Sequence, residues 1–394
     1  ALNSYGLRVI LDVVYNHTQE SGPHGRNSVL DKVVPGYYHR RGPAGNIESS
    51  TCCNNTASEH AMMERLIVDD LVHWARDYKG DPVPLSSPHS PISMPGAPEG
   101  QSRLVCSHLP RLSRAISAAV AKGQRGMAGQ RAPLVGRPAL RAAAREQQSQ
   151  WSGAQPGGPQ GSPPCTLGRR LVEAPRHGMP HVDGFRFDLM GHLMKSTMLR
   201  AKAALSALTL EEDGVDGSTI YLYGEGWNYA EVANNRCGIN AGQENLAGTG
   251  IGSFNDRLRE ACNGGSPFAD PRLQGWVTGL SLQPNGFDQG GEESEAASLA
   301  YLQDRLKVAL TGNLRSYAFV DTHGQQITGG ELPFGTDGAP TGYCASPEEA
   351  VNYVSAHDNE TLFDTVMLKA AAEVDIKQRC RMNMLATSLV ALGQ

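Results

Sequence analysis

No apolar run in the 394 residues reaches the length of a membrane-spanning helix, and no signal peptide is recognisable. The first residue is alanine, which leaves the true N-terminus and any targeting peptide open. A basic surface is lacking as well. The net charge is −5, whereas nucleic acid and acidic membranes reward an excess of Lys and Arg. The expected partner is a neutral or small molecule, not nucleic acid and not a membrane. The eight cysteines contain no C-x-x-C pair and no zinc-ligand spacing, and the chain is too long to need staples; free thiols in a reducing compartment are expected, with no metal site and no cofactor. Bound calcium and oligomeric state are not specified. What is present, 40 % hydrophobic residues, is enough for one large core or two ordinary ones.

Composition changes abruptly after Lys79 and recovers at Val182. Residues 80–181 hold more than half of the 24 prolines, no Phe or Tyr, and twelve basic against four acidic side chains. Such a segment buries too little apolar surface to offset its ordering entropy, and it reads as a disordered insertion with at most a weak helix in "RAAAREQQSQW". An intron translated in frame would read the same way. The expected organisation is therefore 1–79, the 80–181 insertion, and 182–394.

Outside the insertion a pattern repeats. "LRVILDVVYNHT", "HVDGFRFDLMGH", "STIYLYGEGWN" and "AVNYVSAHDNE" are short apolar runs that each end in polar or charged residues. Near-continuous Val, Ile, Leu and Phe suits strands covered on both faces, the habit of parallel sheets. Helices are expected between them: from a capping box at Thr56 and Glu59 through Met63, Ile67, Leu71 and Trp74 to Lys79, then at about 193–208, 295–310 and 377–392. Alternating strands and helices, with polar groups gathered at strand C-termini, point to an α/β barrel.

Side chains two apart on a strand share a face, so Arg186 and Asp188 point one way while Phe185 and Phe187 point the other. A guanidinium beside a carboxylate favours its ionised form, as a nucleophile requires; the pair alone would equally suit a structural role. Glu225, between Gly224 and Gly226 and followed by Trp227, sits where a partly dry carboxyl would have a raised pKa and an indole would offer a sugar a flat face. A turn glutamate is the plainer reading of "GEG" by itself. His357 and Asp358 end the fourth run, with a helix N-cap as the plainer reading of Asp358. Asp12, Asn16 and His17 end the first, and His17 alone would read as a core histidine. Taken together, acidic groups at separate strand ends beside an Arg and two His are the parts of retaining glycoside hydrolysis.

The four runs, in their order, resemble the signature regions of the α-amylase superfamily, glycoside hydrolase family 13. "SVLDKVVPGYYHRR", "NNTASEHAMMERLIVDDLVHWARDYK" and "GTGIGSFNDRLREA" are similar to its debranching branch, the plant-type limit dextrinases or pullulanases. The resemblance implies Asp188 as nucleophile, Glu225 as general acid/base and Asp358 as transition-state stabiliser. It implies Asp12, His17, Arg186, Trp227 and His357 as contacts to the sugar ring, an α-glucan cut at α-1,6 branch linkages of pullulan, amylopectin and limit dextrins, and a plastid location. Counted against the family, the chain is expected to form a partial (β/α)8 TIM barrel, from about strand 3 to helix 7, without strands 1, 2 and 8. Three rivals stay open: an α-amylase-superfamily enzyme of other specificity, a catalytically inactive glucan-binding fragment, and a nucleic-acid binder acting through the basic insertion.

Overall fold

The apolar run at residues 7–14 extends as strand β1 only over Ile10–Val13, whose ends are buried. Strands β2 (Gly184–Phe187), β3 (Tyr221–Gly224), β4 (Gly252–Asn255) and β5 (Ala350–Asn352) follow. They form one parallel sheet in the order β1-β2-β3-β4-β5, so every strand lies beside its neighbour in sequence. Facing pairs include Asp12 with Arg186 and Phe187 with Gly224. β1 and β5 are the two edges of this sheet. The computed structural model describes residues 2–78, 181–335 and 338–394, all within one unit built from both ends of the chain. The 80–181 insertion and its weak helix lie outside the described residues, apart from His181.

Four strands were expected from the sequence, and the parallel sheet has five. β4, with the sequence GSFN, carries serine and asparagine where strand reading looks for β-branched residues. Its Ser253 and Asn255 are nevertheless buried, and Asn255 caps the following helix by accepting from Leu258 N. The helices expected between the four runs all form; the unexpected β4 is reached from β3 through a short 3-10 segment at Ala230–Asn235 and turns.

Among the described residues six longer helices are present: α1 (Ala61–Asp77), α2 (Lys195–Ser206), α3 (Asp256–Asn263), α4 (Glu292–Ala309), α5 (Leu362–Lys369) and α6 (Ile376–Leu392). Met63, Ile67, Leu71 and Ala75 recur every four residues, which puts them on one face of α1, and all four are buried. With Phe185, Phe187, Met198 and Leu205 they form the larger core. A second core joins Leu258 and Ala261 of α3 to Leu302 and Leu306 of α4 and to Ala386 of α6.

The expected capping box is absent. Thr56 Oγ1 donates to Tyr15 O, Glu59 accepts two bonds from Arg40, and α1 starts only after His60. Tertiary partners took both side chains before the helix could use them. Cysteine also departs from expectation: Cys52 and Cys53 are joined in a disulfide, while Cys237, Cys262, Cys344 and Cys380 are free.

Candidate active site

Parallel strands in register bring their C-terminal ends to one edge of the sheet, and the sequence loads those ends with charge. Arg186, last but one on β2, is 4 % exposed and has three acidic neighbours. Its Nη1 donates to Asp12 Oδ1 of β1 at 2.9 Å and to Asp188 Oδ1, just past β2, at 3.2 Å. Its Nη2 donates to Glu225 Oε1, just past β3, at 2.5 Å. Lone buried charges would each cost several kcal/mol; one planar fork of donors answers all three carboxylates. Phe254 of β4 packs under the guanidinium, 5.7 Å from its centre.

The remaining acid of the second run is not in this cluster. Asp183, at the start of β2, accepts from Val9 N at 2.6 Å and Asn3 Nδ2 at 2.8 Å and pairs with His181 at 3.1 Å. It ties the chain down at the opposite end of the strand.

Glu225 is 7 % exposed. Burial pushes its pKa up, Arg186 pulls it back, and the nearby charge of Asp188 adds to the rise, leaving it at about 7. Half of such carboxyls hold a proton at neutral pH. Its second oxygen accepts from Leu189 N at 2.8 Å. Leu189 is in the left-handed region, φ 39°, a conformation that a branched side chain adopts at a cost of about 1–3 kcal/mol. The turn that points this amide at Glu225 is thus strained. Asp12 is also raised, by burial ahead of the opposing pull of Arg186.

Glycine does structural work on both sides. A Cβ on Gly224 would lie 2.4 Å from Phe187 O, so the group that approaches this glycine is the neighbouring strand. A Cβ on Gly191 would lie 2.0 Å from Trp227 O, and Gly191 N donates to Glu225 O at 2.9 Å. The loop after β2 is clipped against the loop after β3, fixing Glu225 relative to Asp188.

The other expected residues are placed as follows. His17 follows β1 on a two-residue strand paired with Asn54–Asn55, half-buried, with its pKa lowered by burial despite an opposing pull from Asp188. Beside it the buried Asn16 side chain has no hydrogen-bond partner among the described residues. His357 Nε2 lies 3.1 Å from Asp358 Oδ1, both more exposed than the Arg186 cluster. Their charges act on Asp12 and Glu225 respectively. The helix-cap reading of Asp358 does not apply, because α5 is capped by Thr361, which accepts from Asp364 N. Trp227 is half-buried, its backbone against Gly191.

A supporting network was not foreseen. Arg40 is buried, bonds Glu59 and Glu231, and donates to His192 O. Glu231 also accepts from Asn55 and Ser50 and lies 3.7 Å from His192 Nδ1. Burial raises the Glu231 pKa, but these donors outweigh it and hold the group well below the usual carboxylate range. His192 packs edge-on against Tyr229, ring centres 4.7 Å apart. Arg40, Glu59 and His192 lie in "YYHRR", "NNTASEH" and "DLMGH", stretches that carry no motif for a shared network.

No protein-family model matches the chain. Among solved structures, it is similar to a maltotriose complex of PulA from Klebsiella pneumoniae, with TM-score 0.66, 32 % identity, and 98 % of this chain but 29 % of that one covered. PulA from Klebsiella oxytoca gives TM-score 0.66 at 31 % identity, covering 98 % of this chain and 26 % of that one. In fold the chain is thus similar to a part of these pullulanase structures, with a parallel sheet of five strands. Among curated proteins the chain is 42 % identical to Pullulanase 1, chloroplastic, of Arabidopsis thaliana, over 100 % of its own length and 30 % of that protein. It is 32 % identical to a pullulanase of Klebsiella aerogenes, over 99 % of its own length and 25 % of that protein. The chain is a homologue of the pullulanases, the plant type included, and spans about a third or less of the relatives it matches.

Proposed function

We propose that this chain carries the catalytic centre of a retaining glycoside hydrolase that cuts α-1,6 branch linkages in pullulan, amylopectin and limit dextrins, within a plastid. The observation that carries the reading is the three-carboxylate cluster on Arg186, in which Glu225 has a pKa of about 7 while Asp188 meets the same guanidinium. Both carboxylates meet one guanidinium, Asp188 through Nη1 at 3.2 Å and Glu225 through Nη2 at 2.5 Å, which supports the close pairing that glycoside hydrolysis uses.

In this reading Asp188 attacks the anomeric carbon. Glu225 gives its proton to the departing glycosidic oxygen, then, ionised, takes one from the water that releases the glycosyl enzyme. Asp358 holds ring hydroxyls as positive charge develops. Arg186 fixes the two reacting carboxylates, and Asp12, His17, Trp227 and His357 surround the sugar. The parallel sheet would be the third to seventh strands of a (β/α)8 barrel, whose active sites lie at strand C-termini. No cofactor is assigned a part.

The test is product analysis: maltotriose released from pullulan, first formed as the α anomer, with amylose left uncut. Cleavage of amylose alone would reject debranching, and a β anomer would reject retention. A second reading, glucan binding without turnover by this chain alone, is favoured by the two sheet edges, since β1 and β5 each pair on one side only. Retention on amylopectin without reducing-sugar release would support it.

A further inference from the structure

Beside His17, which the glucan reading places at the sugar, lie two sulfurs that this reading does not use. His17 Nε2 is 3.3 Å from Cys52 Sγ, and donor atoms of His17, Cys52 and Cys53 all lie within 4.8 Å of one another. The other ring nitrogen, Nδ1, is buried with no hydrogen-bond partner among the described residues, so the ring presents Nε2 to the sulfurs. Cys52 is exposed and Cys53 half-buried, which gives reagents a way in.

The three are held on a braced frame. His17 pairs across an antiparallel ladder with Asn55, and Thr18 with Asn54. Thr51 Oγ1 donates to Asn55 Oδ1 at 2.6 Å, Asn54 Nδ2 to Gln19 O at 3.1 Å, and Ser21 Oγ to Asn54 Oδ1 at 3.0 Å. The Asn54–Asn55 side of the Cys-Cys loop is therefore tied to the segment that carries His17, and Thr51 on its other side is tied back to Asn55, as a preformed site requires.

We infer that, once reduced, Cys52 and Cys53 bind a soft divalent cation of the zinc class together with His17 Nε2. Zinc takes two sulfurs and a nitrogen and leaves a fourth position open; with Zn–S near 2.3 Å and Zn–N near 2.0 Å, tetrahedral donors stand about 3.5–3.8 Å apart. The His17–Cys52 separation already approaches that spacing. The closed disulfide holds the sulfurs together, and opening it lets them separate around an ion. A dithiol reductant supplies the two electrons and two protons: the Cys52–Cys53 bond breaks, two thiols form, and the reductant leaves as its own disulfide. Zinc then displaces both thiol protons, forming two Zn–S bonds and one Zn–N bond. Zinc binding requires nothing of the glucan-cleaving reading. A fall in turnover on binding rests on it, because the ion would occupy the Nε2 of a histidine assigned there to the sugar.

The test is calorimetric titration of Zn²⁺ into the 394-residue chain, oxidised or freshly reduced with a dithiol that is then removed without oxygen. One zinc per chain is expected in the reduced form, and that zinc is lost in the oxidised form and in Cys52→Ser/Cys53→Ser. His17→Gln should weaken it by roughly tenfold or more. No zinc in the reduced chain, or unchanged stoichiometry in the folded double variant, overturns the inference. Should the double variant fail to fold, zinc-edge X-ray absorption of the unaltered chain decides: two sulfurs and a nitrogen around the ion are expected, and a shell without sulfur overturns it.

Discussion

Replacing Glu225 by glutamine should change how stability depends on pH more than it changes stability itself. Glu225 has an ordinary carboxyl pKa of 4.5 when unfolded and about 7 when folded, raised chiefly by burial. Between those values the folded chain holds a proton that the unfolded chain has lost. The slope of unfolding free energy against pH is then negative, so stability is fully present below pH 4.5 and declines as pH rises towards 7. A gap of this size is worth on the order of 3 kcal/mol at 1.36 kcal/mol per unit. Glutamine keeps the shape and an acceptor for Leu189 N but does not titrate. Relative to the parent, Glu225→Gln should therefore gain on the order of 3 kcal/mol between pH 4 and pH 8. Urea unfolding midpoints of both proteins at half-unit pH intervals give the difference curve. A flat difference across this range would refute the reasoning, as would an inflection near pH 4.5, because either means that Glu225 is not held in a dry site.

Arg186→Met removes the shared partner of three acids and should cost about 3–5 kcal/mol at pH 8, with a smaller cost at pH 5, where Glu225 is protonated; denaturant midpoints at both pH values check it. Gly191→Ala drives a methyl group into Trp227 O and should destabilise by about 1–3 kcal/mol or more, displacing the Glu225 loop; a thermal melt together with pullulan turnover reads both effects. Phe185→Ala leaves a cavity behind a fully buried ring and should cost about 3–5 kcal/mol in denaturant midpoint, without changing the pH dependence attributed to Glu225.

The parts of this fold legible in sequence were those where one local rule acted alone. Of the stripe read from the sequence, Met63, Ile67 and Leu71 are buried on one face of α1 because helical period and core burial agree there, while Trp74 is only half-buried and Ala75 takes the fourth place. Period two placed Arg186 and Asp188 on one face and Phe185 and Phe187 on the other, and the structure has this division. β4 escaped notice because Ser253 and Asn255 are buried by pairing and capping rather than by apolarity. Thr56 and Glu59 matched a capping pattern, yet Tyr15 and Arg40, distant in sequence, claimed them. The meeting of Asp12 and Glu225 on Arg186 needed the strand order, and the Arg40–Glu231 pair spans 191 residues with no motif to announce it. Charge at several strand ends was visible; which of those charges share a partner was not.

The central claim is that Asp188 performs the covalent step at this cluster. Turnover of pullulan and retention on amylopectin, measured side by side for the parent and Asp188→Asn in a preparation competent to cut pullulan, test it most directly. The account predicts a loss of several orders of magnitude in rate with glucan binding kept. A variant that retains most of its activity would contradict it.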